Sequence, residues 1–250
     1  MGRELRKQIE LDATPEQVWE AVATGPGIAT WFVPSAVEPH VGGTVAQEFG
    51  GQLTATGTVT AYEPGRRFAY EGPETDGPRY AFEFLVEGRD GGSTVLTFVQ
   101  SGFLDGADWD GEYDGFDKGW DLFLGNLRSA LAHFPSRPAQ TVVAVVSTAG
   151  SRDEAWPPLL RALGLAGMPA LGDEVTLAGP QPVTGVVDVT TPEFLGVRSA
   201  EALHRIGAEG DDGCGVSAYH YFYGAPIDRA AVTAAWQGWL DGLFPQPART

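Results

Sequence analysis

An internal repeat governs how this 250-residue chain can fold. Residues 5–12 read as a strand and lead into Thr14, Pro15, Glu16, Gln17, Val18 and Trp19. There Thr14 can cap a helix, Gln17 can reach back to the cap, and Pro15 suits the first helical turn. Residues 141–148 read as a strand in the same way and lead into Ser151, Arg152, Asp153, Glu154, Ala155 and Trp156, with cap, reciprocal side chain and Trp all displaced by 137 positions. The two halves also finish alike. Phe116, Trp120, Phe123, Leu127 and Leu131 form one helical stripe over residues 114–134, and Val232, Trp236, Trp239 and Leu243 form another over 228–244. The closing offset is 110 rather than 137, so the second copy is 27 residues shorter. The expectation is two domains, 1–135 and 140–250, joined through a proline-bearing linker at 135–139.

Between the first and last helices of each copy the pattern is that of antiparallel strands. In the first copy these are 43–49, 54–62, 67–71, 79–87 and 94–101, separated by turn residues such as Glu63, Pro64, Gly65 and Arg89, Asp90, Gly91, Gly92. Alternation places Tyr80, Phe82, Phe84 and Val86 on one face, which the amphipathic closing helix is available to cover. The second copy carries weaker strand signals at 173–178, 183–190, 193–198, 203–207 and 216–223. Pro157 and Pro158 fall inside its first helix, which is therefore expected to break or to start late.

Charge and sparse cysteine narrow the function. Sixteen Lys and Arg against 33 Asp and Glu leave a formal charge of −17, which repels phosphate backbones and anionic lipid, so neither nucleic acid nor membrane is an expected partner. No apolar run approaches the roughly 20 residues that span a bilayer, and residues 1–11 lack a signal-type stretch; a cytoplasmic protein is expected. Cys214 is the single cysteine, which excludes an internal disulfide or a cysteine-rich zinc site. The sequence does not set the oligomeric state.

The run from Thr14 to Trp19, then Trp31 and Phe32, Gly42 and Gly43, Gly57 to Val59, Glu63 and Pro64, Thr97 and Phe98, and Gly119 with Trp120, resembles the START-like, or SRPBCC, superfamily. Within it the chain is similar to the bacterial branch related to the carboxy-terminal domain of the Hsp90 ATPase activator. The resemblance covers about residues 5–134 and reaches the second half only through the repeat. It implies an α+β fold of tandem helix-grip units, each a curved antiparallel sheet around a long closing helix, the second unit shortened and degenerate. It also implies a lipophilic small-molecule partner held between sheet and helix. Three functions follow in order: binding of a polycyclic or polyketide-type molecule as a natural-product accessory or self-resistance protein; a polyketide aromatase or cyclase; and a protein-interaction module like the chaperone activator.

The residues that would line the first grip are Trp31, Phe49, Tyr70, Tyr80, Phe82, Phe84, Phe98, Phe103, Trp120 and Phe123, with Arg67 or Arg79 as an orienting cation. A second pocket would use Tyr219, His220, Tyr221 and Trp236, although alternation sets His220 opposite both tyrosines. His40, His133, His204 and His220 have no triad or metal spacing, so no catalytic constellation, metal or cofactor is expected. The acidic run Asp105, Asp108, Asp110, Glu112, Asp114, Asp117, Asp121 fails as a calcium loop, because Tyr113 replaces the turn glycine and Gly119 the bidentate acid; it reads as a solvated entrance. Glycine is abundant, 34 of 250. Some START-like proteins of enediyne producers are cut at glycine by the drug they sequester, and that resemblance marks Gly102, Gly106, Gly111, Gly115 and Gly119 as candidate cleavage positions. The plainer reading is biased composition and turn formation.

Overall fold

The computed structural model describes residues 3–50, 53–73, 79–103, 110–211 and 213–245. The chain divides into two compact units, Met1–Pro138 and Ala139–Thr250. The first unit opens with strand β1 (Arg3–Leu11), helix α1 (Pro15–Ala23) and the single-turn α2 (Gly25–Ile28). Six strands follow: β2 (Ser35–Val37), β3 (Thr44–Glu48), β4 (Thr54–Glu63), β5 (Arg67–Glu71), β6 (Ala81–Gly88) and β7 (Thr94–Phe103). Helix α3 (Asp110–His133) closes the unit. The sheet is antiparallel in the order β1-β7-β6-β5-β4-β3-β2, so after β1 the chain crosses to the far edge and meanders back until its last strand pairs with its first.

Local chemistry sets these elements. At α1 the Gln17 amide donates to Thr14 Oγ1 at 3.3 Å while the Thr14 amide donates to Gln17 Oε1 at 2.9 Å, which satisfies two of the helix's orphan donors. The same exchange recurs at the start of the second unit's first helix, where Ser151 and Glu154 trade backbone and side-chain bonds. Within the first sheet, register stacks Phe68 on Phe84 and Phe84 on Phe98, and sets Tyr70 beside Phe82 and Phe82 beside Gln100. Since strand side chains alternate, these residues share the face that meets α3.

The second unit repeats the plan with fewer parts: β8 (Gln140–Thr148), α4 (Arg152–Ala162), β9 (Glu174–Leu177), β10 (Val183–Thr190), β11 (Phe194–Arg198), β12 (Ala202–Glu209), β13 (Cys214–Phe222) and α5 (Arg229–Leu243). Its sheet runs β8-β13-β12-β11-β10-β9. Among the described residues it has no counterpart of α2 or β2, and α5 spans 15 residues against 24 for α3, which accounts for nine of the 27 residues lost. Trp156, Leu159, Ile206, Val216, Trp236 and Leu240 meet in its core.

Helix α4 corrects the expectation of a broken helix, because it runs unbroken through Pro157 and Pro158. The prolines remove the donors that would bond the Asp153 and Glu154 carbonyls, but both of those residues are exposed. The capping box and the buried Ala155, Trp156 and Leu159 hold the remaining turns, and the Trp156 indole donates to the Pro192 carbonyl at 2.8 Å.

Candidate ligand-binding site

Trp31 anchors the first grip. It lies just beyond α2, fully buried, with its indole N–H donating to the Ala21 carbonyl at 2.9 Å and its own carbonyl accepting from Asn126 Nδ2 of α3 at 3.4 Å. From there the rings form a continuous floor. Phe32 stacks on Trp120 at 5.2 Å and meets Phe49 and Phe123 at 5.6 and 4.6 Å, and Trp120 lies 4.0 Å from Phe98. Phe84 continues to Phe68, which passes contact to Tyr70 and on to Phe82. Eight of the ten sequence-selected rings thus join one cluster, with Phe32 and Phe68 as links the sequence reading omitted.

The other two rings stand apart at the start of α3. Tyr80 packs on Phe103 and Phe116, and Phe103 on Tyr113. The Tyr80 hydroxyl donates to the Glu112 carboxylate, and burial together with that carboxylate raises its pKa well above the ordinary phenol range.

Polar groups are set into this apolar surface. Gln100, fully buried, accepts the Trp120 indole N–H on its Oε1 at 2.6 Å, while its Nε2 has no hydrogen-bond partner among the described residues. Gln47 accepts the Tyr70 hydroxyl at 3.4 Å, and burial pushes that phenol up, opposed by the Gln47 contact. A buried donor without a partner carries a desolvation penalty of about 1–3 kcal/mol. Gln47 and Gln100 were not singled out in sequence; the available signal was a glutamine two residues from Phe98 on an inward face.

Several expectations are corrected. Arg67 is bound to Glu83 at 2.6 Å and Arg79 to Glu71 at 2.6 Å, and the register sets Arg67 beside Leu85 on the face away from α3, so neither cation serves the floor. The acidic run is not simply a solvated entrance. Lys7, only 14 % exposed, binds Asp117 at 2.8 Å and Asp121 at 2.6 Å; burial lowers its pKa, but the hydrogen bonds and charges of the two aspartates together outweigh that and raise it. Asp105 and Asp108 lie outside the described residues, as do the Asp110 side chain and Gly106. Among the described residues no group of three or more His, Cys, Asp or Glu is placed to hold a metal ion.

The candidate glycines differ from one another. Gly102 has φ +97° and its backbone lies so close to Arg79 that an added Cβ would sit 2.0 Å from that carbonyl oxygen. Its presence is a backbone requirement. At Gly111, Gly115 and Gly119 an added Cβ would meet nothing within 4 Å. They lie four residues apart along α3; Gly111 and Gly115 are exposed, while Gly119, three residues from Phe116 and four from Phe123, borders the aromatic stripe.

Two cavities are bounded by described residues. One, of about 390 Å³, is a groove against α1 and the end of α3, lined by Glu16, Glu20, Pro26, Leu131, Phe134 and Arg137, and does not include the aromatic floor. The other, of about 230 Å³, belongs to the second unit and is walled by Trp236, Phe222 and His204. His220 packs on Trp236 at 4.1 Å, whereas Tyr219 and Tyr221 do not line this cavity, because they project from the opposite face of β13.

Each unit is an antiparallel sheet closed by a long helix, the arrangement of a helix-grip fold. The chain belongs to the family described as polyketide cyclase / dehydrase and lipid transport, which it matches over residues 3–134. A comparison with curated proteins found no match. Among solved structures, DynU16, a protein of the dynemicin biosynthetic locus, is 21 % identical with a TM-score of 0.47, covering 96 % of this chain and 98 % of its own. The di-domain ARO/CYC protein BexL of the BE-7585A pathway is 12 % identical with a TM-score of 0.48, covering 98 % and 99 %. The Aha1 dimer from Colwellia psychrerythraea is 21 % identical with a TM-score of 0.44, covering 52 % of this chain and 96 % of its own. These likenesses concern the fold. Among the described residues no helix is long and apolar enough to cross a membrane.

Proposed function

We propose that the first unit binds a planar, hydrophobic, polyketide-type molecule against its aromatic floor, with Gln100 donating a hydrogen bond to a carbonyl oxygen of the guest. The observation that carries this reading is the fully buried Gln100 Nε2, set among aromatic rings and without a partner among the described residues. A quinone or ketone oxygen would supply the missing acceptor, and the partly exposed rings of Phe49, Phe82 and Phe123 offer stacking area to a polycyclic body. Membership of a family described by polyketide cyclisation, dehydration and lipid transport is consistent with such a guest. We assign the protein to carriage or sequestration, as a natural-product accessory or self-resistance protein, because no nucleophile or general base is assembled among the described residues of the floor.

The test is titration of the full chain with 1,8-dihydroxyanthraquinone, read by quenching of indole fluorescence. Saturable binding weakened about tenfold by Gln100→Met is expected, whereas anthracene, without a carbonyl, should not distinguish the two proteins. Absence of saturable binding, or equal affinity in the variant, overturns the proposal. Incubation with a poly-β-ketone decides against catalysis if the substrate is recovered unchanged; a cyclised aromatic product would replace carriage by a cyclase. Exposure to a reductively activated enediyne addresses self-sacrifice. Discrete cuts at glycine would assign it, and an intact chain leaves sequestration.

A further inference from the structure

The two units treat the same strand edge differently. β1 and β8 correspond residue for residue at the 137-position offset, and each stands at the end of its sheet, so one side of its backbone has no neighbouring strand. In the second unit α5 closes that side. The Gln237 side chain accepts the Val145 N–H on Oε1 at 3.2 Å and donates from Nε2 to the Val145 carbonyl at 2.8 Å, braced by Asp241 at 3.0 Å. A side-chain amide thus stands in for the missing strand. The opening offset sets Gln8 in the place of Val145, and the closing offset of 110 sets Leu127 in the place of Gln237. Leu127 is fully buried and has no polar atom in its side chain, so among the described residues the edge of β1 at Gln8 has no such clamp.

Alternation fixes what this edge offers. The Val145 backbone turns away from its sheet, and Gln8 takes the same place in β1; the Glu4 carbonyl, which accepts the Tyr113 hydroxyl at 3.3 Å, turns outward with it. With a period of two, the backbone groups of Arg6 and Glu10 point the same way. Lys7 reaches the acids of α3, so the side chains of Arg6, Gln8 and Glu10 lie on the opposite face, where all three are exposed. Tyr113 occupies Glu4, which leaves residues 6–10 as the open stretch, and this stretch is self-complementary. A second copy laid antiparallel about a two-fold axis at Gln8 sets each Arg6 opposite a Glu10, in positions where the two strands exchange N–H···O bonds. An axis at Lys7 would set Glu4 against Glu10, and one at Arg6 would set the two arginines together. Arg6 has no ion-pair partner among the described residues. We propose that β1 is a docking edge for a second copy of this chain, joined through paired Arg6 and Glu10 side chains across a two-fold axis at Gln8. Five residues a side make an interface below the roughly 1,200 Å² of stable complexes, so the dimer forms weakly and reversibly. This inference does not rest on the reading of the first grip.

The experiment is light scattering of the full chain at low ionic strength over about 1–200 µM, with half-association expected at about 10–100 µM. Arg6→Glu and Glu10→Arg each set like charges opposite one another and should raise that midpoint at least tenfold, whereas the two changes together reverse every pair and should restore it. The mass of one copy at every concentration overturns the proposal and leaves the edge to a strand of another protein. A dimer that ignores either single reversal, or a double variant no better than the singles, overturns it as well. Gln8→Cys tests the axis itself. Facing residues of a hydrogen-bonded pair lie about 5.5 Å apart at Cα, within reach of a disulfide, so mild oxidation should link this variant into covalent dimers. Cys214 is buried and supplies no competing thiol. A variant that scatters as two copies without becoming cross-linked places the contact elsewhere and overturns the proposal. Because Arg6, Gln8 and Glu10 are exposed, circular dichroism should be the same for all four variants.

Discussion

Gln100 and Trp120 form a pair in which one bond is made and one donor is left over. Replacing Gln100 by Met exchanges one unpaired N–H for another, that of the Trp120 indole, so the stability change should stay within about 1 kcal/mol. Replacing both, as Gln100→Met with Trp120→Phe, removes every polar atom of the pair, and urea unfolding should show the double variant no less stable than Gln100→Met alone. Greater destabilisation than the single change would mean that the indole volume lost at buried Trp120 outweighs the relief of its unpaired N–H. Gly102 gives the opposite sign. With φ +97° and an Arg79 carbonyl 2.0 Å from any added Cβ, Gly102→Ala must move backbone, and a loss of at least about 2 kcal/mol is expected in the same assay. A near-neutral result would show that this strand end shifts freely.

At the scale of elements, α3 carries a contradiction between propensity and position. Gly111, Gly115 and Gly119 each weaken a helix interior by about 0.5–1 kcal/mol relative to Ala, and none is required by a neighbour. Their cost falls on the first half of α3, beside the Tyr80 and Phe103 cluster. The triple change to Ala should add about 1.5–3 kcal/mol of stability and slow anthraquinone association in stopped-flow fluorescence. An unchanged association rate would show that ligand entry does not depend on opening this half-helix. Much of the element order was legible, because it rests on local chemistry: both capping boxes, the β5 bounds 67–71 and the β10 bounds 183–190 match their sequence signals. What escaped was tertiary. The α2 turn and β2 are too short to show a period, and α4 survives two prolines because its buried face and cap outweigh propensity. The aromatic floor was readable from alternation, whereas the orphaned amide of Gln100 and the His204–His220 contact depend on cross-strand register, which no single strand encodes.

For the whole molecule, the acid response separates two opposing contributions. An excess of 33 acidic over 16 basic groups means that protonating carboxylates relieves self-repulsion, but this begins only near their own pKa values, around 4. Between pH 6.5 and 5 the buried histidines dominate. Desolvation, reinforced by Arg205, pushes His204 down to about 3 and His220 well below its ordinary value, with His204 adding to the effect on His220. The unfolded chain takes up protons on these residues as pH falls through 6.5 while the native state does not, so stability declines with acidification across this window. The expected loss is at most about 2 kcal/mol per histidine by pH 5, at about 1.4 kcal/mol per pH unit. Urea titrations at pH 7, 6 and 5 should therefore show a clear downward slope in the native sequence and a flatter one in His204→Leu, His220→Leu, whatever the absolute stability of that variant. Parallel slopes would mean that the pair titrates in the folded protein and that burial beside Arg205 does not hold its rings neutral.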